Sequence, residues 1–449
     1  MSGQVPTDGR EGSLEAPTRH PIDWRSPSYY DSAALQAELE RVFDICQGCR
    51  RCFSLCQSFP TLFDAVDASD GGELATVPRA VYWQVVDHCY QCDLCFMTKC
   101  PYVPPHPWAV DFPKLMLRAK AQRSARTRPS LRDRLLASTE AVGNIAGIPV
   151  VAELVNALNR STLGRVVLEK TLGVHRDAPL PPYRSRTARS KLTRRSRPVL
   201  TARPTPRTTG RVVLFTTCYG NRNEPELATD LAAVFEHNGI SVDLAARERC
   251  CGMPRLELGD LKTVEAYKQV NVPELTRLTQ LGFDIVAPIP SCVLMFKQEL
   301  PLLFPEDAEV QQLKGRVFDP FEYLMLRHEA GLLRTDFARS LGRVSYHVPC
   351  HLRVQNIGLK TRDLLRLIPQ TVVQVIERCS GHDGTYGVKR EFRAASVRIG
   401  KPVVQQIARD APDFYASDCP MAAHQLQTGL ASLGPPVHPL ALLRRAYGI

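Results

Sequence analysis

Eight of the 15 cysteines in this 449-residue chain lie in two short runs between residues 41 and 110, and their spacing constrains the fold more than any other feature. The runs are Cys46-x2-Cys49-x2-Cys52-x3-Cys56 and Cys89-x2-Cys92-x2-Cys95-x4-Cys100, the second followed by Pro101. Three thiolates two residues apart can wrap one tight loop around three corners of a cubane, while the fourth cysteine points elsewhere. Zinc sites use well-separated C-x2-C pairs instead. The runs therefore predict iron–sulfur clusters.

The spacing is similar to that of bacterial two-cluster ferredoxins, in which the fourth cysteine of each run ligates the other cluster. It predicts two [4Fe–4S] clusters, the first held by Cys46, Cys49, Cys52 and Cys100 and the second by Cys89, Cys92, Cys95 and Cys56. The second run departs from this spacing, because four residues rather than three separate its third and fourth cysteines. We expect the proline-rich segment 101–108 to cover a cluster and limit its contact with solvent.

The composition indicates a folded protein, and the opening residues lead us to expect a reducing compartment for these thiols. A hydrophobic share of 44% and a charged share of 23% are ordinary globular values, which exclude disorder, collagen and coiled coil. The first 20 residues do not resemble a secretory signal, so we expect metal or redox chemistry rather than disulfides. No stretch approaches the ~18 apolar residues of a membrane span. We expect a cytoplasmic protein, with a peripheral position at the inner face of the membrane as an option.

Positive charge is concentrated in residues 183–211, which hold ten Lys or Arg and no acidic residue, against a formal net charge of +11. The segment is rich in Ser, Thr and Pro, which indicates a solvated linker; contact with anionic lipid or an acidic partner is the alternative. We expect no nucleic-acid binding, because no aromatic residue interleaves the charges. Upstream, residues 149–159 carry an apolar stripe at helical spacing that favours a core helix over a membrane anchor: Val151, Leu154, Val155 and Leu158.

The other seven cysteines form two series that repeat along the chain. The series are Cys218, Cys250, Cys251 and Cys292, and then Cys350, Cys379 and Cys419. Their offsets are 132 (218 to 350), 129 (250 to 379) and 127 (292 to 419), which indicates a duplication. Strand-like segments that end in cysteine alternate with helical stretches, so each repeat predicts a parallel α/β sheet. Ligands bind beyond the carboxyl ends of such strands, where these cysteines lie.

Several segments together resemble a known family: CYQCDLCFMTKCPYVPPHPW, IPSCVLMFKQE, VPCHLRVQ, ERCSGHDGTYGVK and SDCPMAAHQ. They are similar to the two-cluster domain and paired cysteine-rich CCG domains of iron–sulfur oxidoreductases such as the D subunit of heterodisulfide reductase and the C subunit of anaerobic glycerol-3-phosphate dehydrogenase. The resemblance covers roughly residues 40 to 449. It implies an α/β protein in which a small α-helical two-[4Fe–4S] ferredoxin domain precedes two duplicated α/β CCG domains with parallel sheets.

We therefore expect five segments along the chain. They are a flexible N-terminal segment (1–40), the ferredoxin-type domain (41–118), a helical segment and basic linker (119–210), the first CCG domain (211–335) and the second CCG domain (342–449).

The CCG repeats depart from the heterodisulfide reductase pattern at three positions. That pattern ends each domain in C-x-x-C and doubles a cysteine, whereas Met295, Ala422 and Ser380 stand here instead. The first repeat keeps four thiolates, enough for a third cluster: Cys218, Cys250, Cys251 and Cys292.

The second repeat has three cysteines, and four histidines lie within five residues of them: His347, His351, His382 and His424. One imidazole, for which we choose His351, would complete a set with Cys350, Cys379 and Cys419 for zinc or for an iron–sulfur cluster. Proton transfer beside a quinone or flavin is a second option. The third is a degenerate repeat kept for packing.

The chain has no dinucleotide-binding or phosphate-binding glycine motif, so we expect flavin or NAD on another polypeptide. The resemblance implies an electron-transfer subunit that receives electrons from a flavoprotein dehydrogenase and passes them through the clusters and CCG domains to a terminal acceptor, a quinone. It would be an oxidoreductase component rather than a stand-alone enzyme, with no catalytic residue assigned. The alternatives are a substrate-reducing enzyme with its active site in the CCG domains, and a docking scaffold in which only the ferredoxin domain is redox active.

Overall fold

The computed structural model describes residues 16–98, 100–196, 198–382 and 384–449. The chain divides into two compact units, Met1–Ala119 and Lys120–Ile449. The first unit is helical and the second contains two parallel-sheet α/β regions, so the predicted fold class is confirmed.

Helices make up the regular structure described in the first unit. They are α1 (Ser32–Cys49), α2 (Ser58–Asp67), α3 (Arg79–His88), α4 (Leu94–Thr98) and the start of α5 (Phe112–Arg126). Their apolar faces meet in one core, in which Phe43, Leu62 and Val85 are inaccessible to solvent. Asp31 caps α1 by accepting a hydrogen bond from the Ala34 backbone N–H at 2.7 Å. The core therefore fixes the end of α1, where the first cysteine run begins.

The segment expected to be flexible, residues 1–40, is ordered in its later part. Residues 1–15 lie outside the described residues. Helix α1 begins at Ser32, and its Leu35 and Leu39 are buried in the core. The Thr18 backbone N–H also donates to the Pro104 carbonyl at 3.0 Å. Apolar burial and these hydrogen bonds order a stretch whose composition alone suggested a free terminus.

Five helices precede the first sheet: α6 (Leu131–Ala137), α7 (Thr139–Ala146), α8 (Val151–Arg160), α9 (Thr162–Leu172) and α10 (Ala188–Arg194). The stripe of α8 does not enter the core as predicted, because Leu154 and Leu158 are 60% and 49% exposed. Ala152 is the buried residue of this helix. The helix forms where the sequence pattern predicted it, but its apolar face points to solvent.

The basic segment 183–211 is only in part the solvated linker that its charge predicted. Helix α10 forms within it and buries Ala188 and Leu192. Its cations pair with carboxylates of the first sheet region: Arg195 with Glu236 at 2.5 Å, Lys191 with Glu226 at 2.7 Å and Arg189 with Glu248 at 3.3 Å. Acidic residues that follow it in the chain thus neutralise part of its charge.

The first sheet consists of four parallel strands in the order β2-β1-β3-β4. They are β1 (Arg211–Leu214), β2 (Ser241–Leu244), β3 (Asp284–Val286) and β4 (Val317–Phe318). The surrounding helices are α11 (Cys218–Arg222), α12 (Pro225–His237), α13 (Met253–Glu257), α14 (Leu261–Gln280), α15 (Pro290–Leu294), α16 (Leu300–Leu303), α17 (Ala308–Lys314) and α18 (Pro320–Glu329), with a π-helical turn at Met295–Glu299. Helices cover both faces of this sheet, which explains why the last three residues of β1 are all apolar and buried.

The second sheet repeats the arrangement with three parallel strands in the order β6-β5-β7. They are β5 (Gly342–His347), β6 (Thr371–Ile376) and β7 (Phe414–Ser417). The helices are α19 (Cys350–Arg353), α20 (Lys360–Leu365), α21 (Arg393–Asp410), α22 (Pro420–Gln427) and α23 (Pro439–Tyr447). In both sheets the first strand of the repeat, β1 or β5, lies between two other strands. A cysteine follows this interior strand in each repeat.

No single helix in the described ranges combines the length and apolar composition of a membrane span. Helices α7 and α8 meet both criteria only as a pair, and they are bent by 107° at the break between them.

Candidate metal centres

One apolar cavity of about 300 Å³ in the first unit is lined by all four cysteines of the first predicted set, Cys46, Cys49, Cys52 and Cys100. Helix α1 places its cysteines on its last turn, and Arg50 then takes a left-handed conformation (φ 55°) that turns the chain. Burial, followed by repulsion from the other three thiols, raises the pKa of Cys46 well above its usual value. Four half-buried thiols around one space are a donor set that suits a metal-containing group, because metal ions favour the thiolate form.

A second group of thiols surrounds Cys95. Burial raises the pKa of Cys95 well above its usual value, and repulsion from neighbouring thiols adds to the shift; these are Cys52, Cys92, Cys89 and Cys56, in order of effect. Three of the four belong to the second predicted set, and Cys52 belongs to the first. Cys52 therefore lies near both groups, which places the two candidate centres next to each other.

The loop between Cys89 and Cys95 is held by residues that the sequence analysis did not identify. Gln91 and Asp93 have positive φ angles of 58° and 61°. Asp93 pairs with Arg19 at 2.5 Å, and the Arg19 guanidinium lies 4.1 Å from the centroid of the Phe96 ring. The Gln91 amide donates to Cys89 Sγ at 3.6 Å. An arginine 74 residues from its partner has no local sequence signal that could reveal this role.

In the second unit, cysteines of both repeats line one largely apolar cavity of about 970 Å³, a volume that includes its open mouth. The cysteines are Cys218, Cys251, Cys292, Cys350, Cys379 and Cys419. They follow β1, β3, β5 and β7 or lie in the glycine loops, as expected for ligand sites at the carboxyl ends of parallel strands. The cysteines of the two repeats therefore face one shared cavity.

The thiols of the first repeat interact directly. Cys218 Sγ lies 3.9 Å from Cys250 Sγ, and the Thr139 hydroxyl donates to Cys218 Sγ at 3.1 Å. Hydrogen bonds from the Cys218 and Cys251 thiols lower the pKa of Cys250 well below its usual value. The Cys250 backbone N–H donates to the Glu140 carboxylate at 2.9 Å. Cys250 is therefore in hydrogen-bond contact with two other thiols of this group.

The second repeat brings its three cysteines to the same cavity, with two of the four candidate histidines. His351 and His382 line the cavity. His347 instead bonds the Ser417 hydroxyl at 3.0 Å and the Arg378 carbonyl at 2.9 Å, and His424 bonds the Glu224 carboxylate at 2.8 Å. These two imidazoles are hydrogen-bonded to residues other than the cavity cysteines.

The spacing of these side chains is not that of a single-ion site. Within the described ranges, no three or more His, Cys, Asp or Glu side chains have the geometry to hold one metal ion. The ligands of a cubane cluster need not surround a single ion, because they bind at separate corners of the cube. Zinc at Cys350, Cys379, Cys419 and His351 stays a prediction.

Two further cavity residues had no signal in the sequence. Thr139 lies 79 residues before the cysteine to which it donates. Glu257 lines the cavity and is buried, and burial raises the pKa of its carboxyl to about 7. Both are placed by packing between distant segments, which spacing within a motif cannot reveal.

Comparison with known proteins agrees with this architecture. A model of the cysteine-rich CCG domain matches residues 212–297 and again residues 344–427. The C subunit of anaerobic glycerol-3-phosphate dehydrogenase from Escherichia coli (strain K12) is 29% identical over 343 residues, which cover 76% of this chain and 83% of that protein. Lactate utilization protein A of Geobacillus kaustophilus is 30% identical over 195 residues, covering 40% of this chain and 75% of that protein.

A third relative is the B subunit of fumarate reductase (CoM/CoB) from Methanothermobacter marburgensis, 27% identical over 229 residues that cover 50% of this chain and 43% of that protein. The match to the E. coli protein is longer than the two CCG segments together. The chain belongs to the family of iron–sulfur oxidoreductase subunits with paired cysteine-rich CCG domains, to which the C subunit of anaerobic glycerol-3-phosphate dehydrogenase also belongs.

Proposed function

We propose that this chain is the electron-transfer subunit of a multi-subunit oxidoreductase, which takes electrons from a flavoprotein dehydrogenase partner and delivers them to a quinone. The observation that carries the proposal is the grouping of cysteines: two adjacent thiol groups in the first unit and one shared cysteine-lined cavity in the second. A chain with this grouping and no dinucleotide-binding motif suits the relay of electrons better than the oxidation of a substrate.

Two [4Fe–4S] clusters in the first unit fit the residues there. The ligand sets are Cys46, Cys49, Cys52 and Cys100, and Cys89, Cys92, Cys95 and Cys56. Bound clusters would supply one-electron redox chemistry. The protein's part is to bury the thiols, exclude water and donate hydrogen bonds to sulfur, as Gln91 does to Cys89. These are the factors that set a cluster's reduction potential.

A third cluster fits the first CCG repeat, held by Cys218, Cys250, Cys251 and Cys292. Three of the four thiols line the cavity, and the fourth, Cys250, is hydrogen-bonded to two of its neighbours. The 3.9 Å distance between the sulfur atoms of Cys218 and Cys250 supports the assignment, because the ligands of one cluster must lie close together. Thr139 would then donate to a ligand sulfur.

An exposed apolar surface, formed by α7 to α9 and the turn between α7 and α8, suits contact with a membrane that holds the quinone. Its exposed side chains are Ile145, Ile148, Val150, Leu154, Leu158, Leu163 and Val167. Asn156 bonds both the N–H and the carbonyl of Tyr183, which brings the exposed Arg184 and Arg186 close to this surface. Apolar side chains flanked by arginines are the pattern of helices that lie in an anionic lipid interface.

The proposal is tested by quinone reduction in the complex purified with its flavoprotein partner. With the partner's substrate as electron source, we expect reduction of a water-soluble quinone analogue. A complex with intact clusters that reduces a one-electron dye but not the quinone would overturn the assignment of the acceptor.

The second candidate function is direct reduction of a small substrate in the CCG cavity, which the volume and apolar lining of the cavity favour. It predicts turnover by the isolated chain with an artificial reductant and no flavoprotein partner. The electron-transfer proposal predicts no such turnover.

A further inference from the structure

The second repeat has one thiol fewer than the first, at a position where the two repeats can be compared directly. Cys379-Ser380-Gly381 stands in the second repeat where Cys250-Cys251-Gly252 stands in the first. Both glycines have positive φ angles, 75° and 103°. The two loops thus share the left-handed turn that follows the cysteine.

The residue after each glycine lines the shared cavity. It is Met253 in the first repeat and His382 in the second. Where the first loop presents a second thiol and a thioether, the second presents a hydroxyl and an imidazole. A ligand lost at Ser380 is therefore accompanied by a nitrogen donor two residues later.

The His382 ring makes no hydrogen bond within the part of the chain that the structure describes. Its residue is 8% exposed, and both ring nitrogens are buried without a partner there. A buried polar group without a partner is rare in folded proteins and points to a missing ligand, ion or water.

The backbone of the loop around His382 packs tightly against α21. The Ser396 hydroxyl of α21 donates to the Gly381 carbonyl at 2.6 Å. A Cβ atom on Gly381 would overlap the Ser396 carbonyl oxygen, and one on Gly400 would overlap the Ser380 carbonyl oxygen. Backbone-to-backbone packing against α21 therefore fixes the path of the loop beside the cavity.

We propose that His382 is the fourth ligand of an iron–sulfur cluster whose other ligands are Cys350, Cys379 and Cys419. This cluster shares the cavity with the centre of the first repeat. The inference rests on the proposed function and deepens it, because it adds a redox centre of a different ligand class. It also selects His382 over His351, the residue that the sequence analysis chose.

Imidazole ligation has a consequence for the direction of electron transfer. A neutral imidazole in place of an anionic thiolate reduces the negative charge at the cluster and raises its reduction potential, as in clusters with two histidine ligands. The second repeat would then hold the more oxidising of the two centres in the cavity. Electrons reaching the first repeat would move to the second.

The test uses full-length protein, purified anaerobically with its clusters and labelled with ¹⁵N-histidine. Pulsed electron paramagnetic resonance detects the strong coupling of a nitrogen bound to iron, which all-cysteine clusters lack. The variant is His382→Cys, which restores four thiolates, and the matched control is His351→Asn in the same cavity. Iron content and a redox titration are measured on each.

We expect a strong nitrogen coupling in the parent protein and in His351→Asn, and its loss in His382→Cys with iron content retained. One cluster of His382→Cys should titrate at a more negative potential. A coupling that disappears in His351→Asn but survives in His382→Cys would overturn the inference, as would zinc held by the second repeat.

Iron content separates this inference from the proposed function. About 12 iron per chain, the content of three [4Fe–4S] clusters, with no nitrogen coupling would overturn His382 ligation alone. About 8 iron per chain or less, the content of two such clusters at most, would overturn the proposed function itself.

Discussion

At the scale of single residues, the first-repeat thiols test whether the CCG half carries electrons. Changing Cys250 and Cys251 to Ser removes two of four candidate ligands, so we expect the loss of about 4 iron per chain. Quinone reduction should fall to background while the first unit stays reducible by dithionite. Ser291→Ala, in the wall of the same cavity, is the matched control and should keep full activity.

The docking-scaffold alternative makes the opposite prediction for the same variant. If only the first unit were redox active, Cys250→Ser with Cys251→Ser would keep its quinone reduction and its iron content. Activity assays and iron analysis on one preparation therefore distinguish the two hypotheses.

Loop packing in the second repeat gives a stability prediction. Gly381 and Gly358 both have positive φ angles, 75° and 79°, but nothing lies within 4 Å of a Cβ built on Gly358. Gly358→Ala introduces only backbone strain of about 1–2 kcal/mol. Gly381→Ala adds an overlap with the Ser396 carbonyl, so it should cost roughly 1–3 kcal/mol more.

Thermal unfolding followed by circular dichroism checks this difference. We expect a clearly lower melting temperature for Gly381→Ala than for Gly358→Ala. Equal melting temperatures would mean that the loop can move away from α21, and the fixed position of His382 would lose its support.

At the scale of elements, α8 shows what an apolar period does and does not predict. The spacing of Leu154 and Leu158 predicted a helix, which is present, but also a buried face, which is not. The helical spacing of apolar residues predicts that they share one face of a helix, but it does not predict what packs against that face. The basic segment shows the same limit, because the carboxylates that pair with its cations are 35 to 59 residues away in sequence.

The exposed face of α8 leads to a binding prediction. We expect the chain to bind vesicles of anionic phospholipid, and Leu154→Ser with Leu158→Ser to weaken binding roughly tenfold or more, since burying one such side chain contributes about 1.5–3 kcal/mol. Leu281→Ser, at an exposed leucine elsewhere, is the control.

Co-sedimentation with vesicles measures the effect. Binding should also weaken at high salt because of Arg184 and Arg186. Equal binding by the α8 variant and the control would mean that this surface does not contact lipid.

At the scale of the whole molecule, the alternation of strand-like and helical segments predicted the two parallel sheets and the convergence of the second-unit cysteines, because strand ends are local features. The helical first unit was implied by the family resemblance. The roles of Arg19, Thr139 and Glu257 could not be predicted, because each depends on packing between segments distant in sequence. The choice of His382 likewise needed the burial of its two ring nitrogens, which have no hydrogen-bond partner among the described residues.

Buried histidines make the folded state sensitive to acid. Burial lowers the pKa of both His347 and His438 to about 4, below the ordinary value of 6.5. The unfolded chain therefore binds protons more readily between pH 6.5 and 4. The stability that these groups contribute is fully present above pH 6.5 and is lost as the pH falls toward 4.

Thermal unfolding between pH 7.5 and 5 measures this slope. We expect the melting temperature of the parent protein to fall as the pH is lowered. In the double variant His347→Gln with His438→Gln it should fall less steeply, even if its melting temperature at pH 7.5 differs from that of the parent. An unchanged slope in the variant would show that other groups cause the acid sensitivity.

The measurement that tests the account most directly is the iron and sulfide content of anaerobically purified protein, combined with electron paramagnetic resonance of its reduced form. The account places redox centres in both units and predicts about 12 iron or more per chain, with signals beyond those of two clusters. About 8 iron and 8 sulfide, the content of two [4Fe–4S] clusters, would confine the redox chemistry to residues 46–100 and contradict it.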